Sequence, residues 1–193
     1  MSDFPDAAGA APVRLLAISG SLRRNSHSTA VLRNIGTLVP QGVVLELMTL
    51  EQVPPYDGDQ DGAAPPQGVV ELKAAIAGAD GLVICSPEYN YGMPGVLKNA
   101  IDWASRPAFA SPLKGKPALI ITASPGVLGG VRAQAQIREA LAATLARPIL
   151  RPHVAIPNVP SRFQDGQIVD QVTVETLKGA LDDLLDEIRL VAR

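Results

Sequence analysis

The chain is poor in the residues that would commit it to several common functions. It has one cysteine, Cys85, among 193 residues, so no internal disulfide can form. Basic residues are not in excess. Lys and Arg number 17 against 19 Asp and Glu, a formal net charge of -2 and a sequence pI of about 5.7. Nothing resembles the basic stripe that a phosphate backbone attracts, which argues against nucleic acid as a partner. No apolar run approaches the roughly 20 residues of a bilayer span, which argues against a membrane protein. The opening stretch MSDFPDAAGAAP lacks a basic start and an apolar signal core. It reads as a disordered tail over 1–12 before a single domain over 13–193, and with the lone cysteine it points to the cytoplasm.

What is present is a regular alternation. Hydrophobic residues make up 47% of the chain and charged residues 19%, enough to build one full core. Five short, β-rich apolar runs are expected as strands: 13–19, 43–49, 81–85, 118–122 and a weaker one over 149–156. Between them lie amphipathic segments expected as helices, over 26–39, 68–79, from Pro94 to Ala104, 129–146 and 172–192. Strands such as LLAI and ALIIT are apolar throughout and need cover on both faces. The expectation is a doubly wound three-layer α/β sandwich with a parallel sheet and helices on both faces.

The stretch EQVPPYDGDQDGAAPPQG, residues 51–68, breaks the rhythm and reads as an acidic surface loop. Asp57, Asp59, Asp61 and Gly62 match the first half of a calcium-binding loop, but the twelfth position, which needs a bidentate glutamate, is Gly68. Prolines 65 and 66 also block the helix such a loop would enter.

In an open parallel sheet, ligands bind beyond the carboxyl ends of the strands. Three such ends lead into loops rich in Gly, Pro, Ser and Asn. The first is SGSLRRNSHSTA, where Ser21, Ser26 and Ser28 offer hydroxyls, Arg23 a guanidinium, and the following helix its unpaired amides. Capping the helix needs one hydroxyl, so three with an arginine point to a phosphate site. Gly20 is expected to let a ligand approach the backbone. The loop has neither the Gly-Lys-Ser/Thr ending of a P-loop nor a Gly-x-Gly-x-x-Gly fingerprint, and the kind of phosphate stays open. Cys85 lies on another strand and reads as a small buried hydrophobe. The second loop is SPEYNYGMPGVLKNAIDW, the third TASPGVLGGVRAQ. Together the three line a cleft suited to a phosphate at one end and a flat heterocycle along the other two loops.

GSLRRNS, SPEYNYGMPGVLKNAIDW and SPGVLGGVRAQ, in this order and at these strand ends, resemble the NAD(P)H-dependent FMN reductase family of flavodoxin-like fold, which includes chromate, quinone and azo-dye reductases. The resemblance spans nearly the whole chain. It implies five strands in the order 2-1-3-4-5 and FMN held with its phosphate at Ser21, Arg23, Ser26 and the position of Ser28, where family members often carry asparagine. It also implies that the backbone of Pro87, Glu88, Tyr89 and Asn90 meets the isoalloxazine ring, with Ser124 and Gly126 approaching from the next loop. No side chain is required as a catalytic acid or base, because the hydride chemistry belongs to the cofactor. NADH or NADPH would be the donor, and a quinone, azo compound, chromate or free flavin the acceptor, in a ping-pong cycle. A homodimer or homotetramer is implied too, with the tract from Tyr91 to Trp103 contributing to the subunit surface. The alternatives are a flavodoxin-type electron carrier and a non-catalytic FMN-binding protein. Neither histidine is assigned a role. Trp103 is expected to pack rather than stack on a ligand, and Asp182, Asp183, Asp186 and Glu187 to form the wet face of the last helix.

Overall fold

A computed structural model of the chain describes residues 11–192, so most of the expected tail lies outside the described residues. Inside the sheet, one strand from its edge, lies β1 (Val13–Ser19), whose last five residues are all buried. It runs parallel to β2 (Val43–Met48) on one side and to β3 (Gly81–Ser86) on the other, and β3 pairs in parallel with β4 (Pro117–Ala123). The strand order is the expected 2-1-3-4-5. Side chains alternate across this sheet. Leu15, Ala17, Val83, Cys85, Leu119 and Ile121 face α1 (His27–Gly36) and α5 (Gln171–Val191). Leu16, Ile18, Leu82, Ile84, Ala118 and Ile120 face α2 (Gln67–Gly78), α3 (Gly95–Ala104) and α4 (Val131–Ala143). Two cores on either side of one sheet make the flavodoxin-like three-layer sandwich. Among the described residues no helix is long and apolar enough to cross a membrane.

The fifth strand differs from expectation. It is two fragments, β5 (Arg147–Pro148) and β6 (Val154–Ile156), both parallel to β4. Proline has no N–H for a ladder and restrains the residue before it, so Pro152 interrupts pairing, and between the fragments Leu150 is 99% exposed. A strand at the sheet's edge tolerates the break. A second feature went unforeseen, a hairpin of β7 (Phe163–Gln164) and β8 (Gln167–Ile168). Asp165 and Gly166 join them at φ of 49° and 80°, the left-handed pair that a type I′ turn requires. Asn34 of α1 holds the hairpin down, its amide donating to the Gly166 carbonyl at 2.9 Å and its Oδ1 accepting from the Ile168 N–H at 2.9 Å.

Trp103 packs as expected. Fully buried on α3, it donates its indole N–H to the Pro54 carbonyl at 2.8 Å and meets the Tyr56 ring edge-on at 4.8 Å. Asn99, one turn earlier, accepts from the Tyr56 N–H and donates to the same Pro54 carbonyl. α3 thus carries the acidic loop on its back. Within that loop the carboxylates are in local use: Asp57 caps a short 3-10 turn over Gly58–Gln60, and Asp61 pairs with Lys73 at 2.8 Å.

Candidate active site at three strand ends

Strand register brings the three loops to one level. Ser19 pairs with Cys85, and Cys85 with Ile121, so β1, β3 and β4 end side by side. The first loop is organised from beneath by Ser19, a buried residue that the sequence reading did not single out. Its hydroxyl meets that of Thr29 at 2.8 Å, donates to the Ser21 carbonyl and accepts from the Ser21 N–H. A polar residue closing an apolar strand was the only sequence signal for it. Gly20 has a packing reason that the sequence did not show. Its N–H donates to the Cys85 carbonyl at 2.8 Å, and a Cβ there would stand 2.8 Å from Ser86 Oγ. It is glycine because β3 is close, whatever the ligand.

The three serines are buried and play distinct parts. Ser26 caps α1, its Oγ accepting from the Thr29 N–H at 3.2 Å, so the ordinary capping role holds for it. Ser21 Oγ accepts from the Arg23 N–H at 3.3 Å. Ser28 is near enough to the Cys85 thiol for its hydroxyl to favour the thiolate. Burial pushes that thiol up to about 12, with the Ser28 hydrogen bond opposing the shift. Cys85 is therefore an inert neutral thiol at physiological pH. The first backbone bond into the helix runs from Ala30 N–H to the Ser26 carbonyl, so the amides of His27 and Ser28 have no partner within the helix and carry its positive end.

The loop after β3 forms a tight hairpin. Tyr89 and Gly92 exchange two backbone hydrogen bonds of 3.0 Å, and between them Asn90 and Tyr91 sit at φ of 50° and 66°. Such angles are uncommon for any residue with a side chain and costly for a bulky one. The Glu88 side chain turns to α4, where its carboxylate accepts from the N–H groups of Arg132 and Ala133 at 2.8 and 3.2 Å. In the loop after β4, the Ser124 N–H is committed to the Ile156 carbonyl and its hydroxyl accepts from the Gly126 N–H at 3.0 Å. Gly130, at φ 81°, starts α4 so close to β4 that a Cβ would lie 3.1 Å from that of Thr122.

These loops enclose an open recess of about 400 Å³. Ser21, Arg23, Ser26 and Ser28 line one side, Pro87, Glu88 and Tyr89 another, and Ser124 a third. Asn90 and Gly126 do not reach its wall; both are exposed, one on the hairpin tip and the other two residues beyond Ser124. His27, Ala123 and Pro125, which the sequence reading left without a site role, complete the lining. A wider depression of about 620 Å³ lies at the opposite end of the sheet, along residues 77–80, 114–117 and 188–192. It has no such convergence of loops at the carboxyl strand ends, where open parallel sheets bind ligands.

Comparison with known proteins identifies the family to which the fold and the loops correspond. The sequence profile of the NADPH-dependent FMN reductase family matches residues 13–161. An NAD(P)H-dependent FMN reductase of Pseudomonas aeruginosa is 40% identical over 173 residues, covering 89% of this chain and 93% of that protein. A quinone reductase of Escherichia coli is 39% identical over 88% of this chain and 92% of its own length. Among solved structures, a flavoenzyme NAD(P)H:(acceptor) oxidoreductase of Paracoccus denitrificans superposes with a TM-score of 0.81 at 33% identity, over 92% of this chain and 97% of that one.

Proposed function

Because this chain belongs to the NADPH-dependent FMN reductase family, we propose that it is an oxidoreductase that moves a hydride from NADH or NADPH to bound FMN and electrons onward to a small-molecule acceptor by a ping-pong cycle. Quinones are the acceptor class named for several relatives, and azo compounds, chromate and free flavin share the need for a flat or compact oxidant at an open face.

The recess where three loops meet carries this reading, and its donor set suits FMN. A phosphate dianion would find the Ser21 and Ser26 hydroxyls, the free amides of His27 and Ser28 and the exposed Arg23 guanidinium. Ser28 lines the same recess and offers its free amide. The isoalloxazine would lie along Pro87 to Asn90 and Ser124 to Gly126, with half-exposed Tyr89 at the flank; since the main-chain groups of Tyr89, Ser124 and Gly126 are bonded within their loops, polar recognition falls first to those of Glu88, which lines the recess. These residues bind, orient and leave one ring face open for two flat partners in turn. None needs to act as an acid or base.

A homodimer or homotetramer working in the cytoplasm completes the proposal. The face of α3 does not supply the subunit surface expected of it, because Leu97, Ala100, Ile101, Trp103 and Ala104 are spent on the core. Exposed Tyr91, Val127 and Phe109 are the apolar groups a second copy would cover.

The reading is tested by titrating apoprotein with FMN and with riboflavin, which lacks the phosphate. FMN should bind far more tightly. Arg23→Ala should weaken FMN by one charged hydrogen bond, on the order of 1.5–3 kcal/mol or roughly tenfold to a hundredfold, and leave riboflavin unchanged. Equal affinity of the two ligands in the wild type would show that the first loop is not a phosphate seat.

A further inference from the structure

Resting on the FMN reading above, we propose that Glu88 is a positioning residue of the cleft: its carboxylate serves as the missing cap of α4, and so holds the hairpin against which the flavin ring would lie. The cap of α4 is Gly130, which has no side chain to offer its first-turn amides. Glu88, 44 residues earlier in the chain, takes two of them, at Arg132 and Ala133, and its side chain is only 13% exposed. A carboxylate at a helix amino end is favourable in its own right. Here it also ties one wall of the recess to another.

The same helix grips the hairpin at two further points. The Arg132 guanidinium lies over the Tyr91 ring at 4.1 Å and 3.7 Å from the Glu88 carboxylate. Gln136, one turn on, accepts from the Met93 N–H at 3.0 Å. It also packs so closely that a Cβ on Gly92 would stand 2.5 Å from its Oε1. The turn is therefore held before, at and after its tip, which is how Asn90 and Tyr91 can stay at positive φ. A backbone that binds a ring edge through its own N–H and C=O groups needs this fixity, since every freedom left in it is lost on binding.

There is an electrostatic consequence. Glu88 occupies the positive end of α4, while the positive end of α1 stays open to the recess, so the cleft has one seat for a phosphate at α1 and a compensated region at the hairpin. Removing the carboxylate would leave the α4 amides and Arg132 uncompensated beside the ring and favour a reduced, more negative flavin.

Glu88→Gln and Glu88→Ala test this, with apoprotein FMN titrations, the visible spectrum and midpoint potential of the bound flavin, and thermal unfolding. Glu88→Ala should lose tenfold or more in FMN affinity and shift the bound spectrum towards free FMN, while inorganic phosphate competes at the first loop as before. Glu88→Gln keeps an oxygen that can accept from both amides, as Glu88 Oε2 does, but carries no charge. Its affinity should fall between the two, and tenfold tighter relative binding of reduced flavin would raise the two-electron potential by about 30 mV. A lower melting temperature with affinity, spectrum and potential unchanged would make Glu88 a stabilising cap only and overturn the proposal. Should Glu88→Ala not fold, the spectrum and potential of Glu88→Gln decide alone. Wild-type protein that binds no FMN would instead sink the functional reading itself.

Discussion

Cys85 shows how little a residue's chemical reputation says about its use. The lone thiol stands next to the candidate phosphate loop, yet burial raises its titration from the ordinary 9.0 to about 12. A group whose folded-state value is raised contributes stability that is complete below its unfolded value and disappears as pH climbs through the folded one. The wild type should therefore exceed Cys85→Ala in stability at neutral pH, and the gap should narrow between pH 9 and about 12. Urea unfolding of both proteins at about pH 7.5 and about pH 10.5 measures this, and a gap constant with pH would contradict it.

At the scale of elements, the hairpin β7–β8 is a small unit whose hold on the body runs through Asn34. The Asn34 side chain donates to Ala30 and Gly166 and accepts from Ile168. Asn34→Ala leaves the Ile168 N–H and the Gly166 carbonyl without that partner, at a cost of about 1–3 kcal/mol. The midpoint of urea unfolding should fall, and amide exchange at Ile168 should rise well before global unfolding. Unchanged exchange there would mean that contact with α1 and α5 alone holds the hairpin. The sequence reading passed over the turn, although Phe-Gln-Asp-Gly-Gln-Ile places the Asp-Gly pair of a type I′ turn between short flanks. The strands are too brief for any period to show. The long central strands, buried on both faces, carry unbroken apolar runs, and the helices show an apolar residue every third or fourth position, with Pro94 marking the start of α3. Prolines 148 and 152 warned of trouble in the fifth strand, but where the chain would rejoin β4 depends on the edge position, which no local pattern encodes. In the site, the loops were found by their turn residues and their places after strands. What Ser28 and Gly20 also meet across the strand boundary, Cys85 and Ser86, was not readable from sequence, because it depends on the register of β1 against β3. Glu88 was expected for its backbone. Its side-chain partners, Arg132 and Ala133, lie on another loop, and only the folded register of β3 against β4 brings them together.

For the whole molecule, the open question is whether the cleft exchanges electrons with small molecules directly or only through a partner protein. A net charge of -2 gives a weak field for steering to a protein partner, and the recess opens directly to solvent, as turnover with dissolved donors and acceptors requires. The most direct test is an anaerobic titration of the FMN-loaded protein with NADPH or NADH, with no reductase added, followed by a quinone. The flavin absorbance should bleach within seconds to minutes at micromolar protein, and return when the quinone is added. A flavin that stays yellow with both nicotinamides, yet bleaches once a partner reductase is supplied, would contradict the account and make the protein an electron carrier.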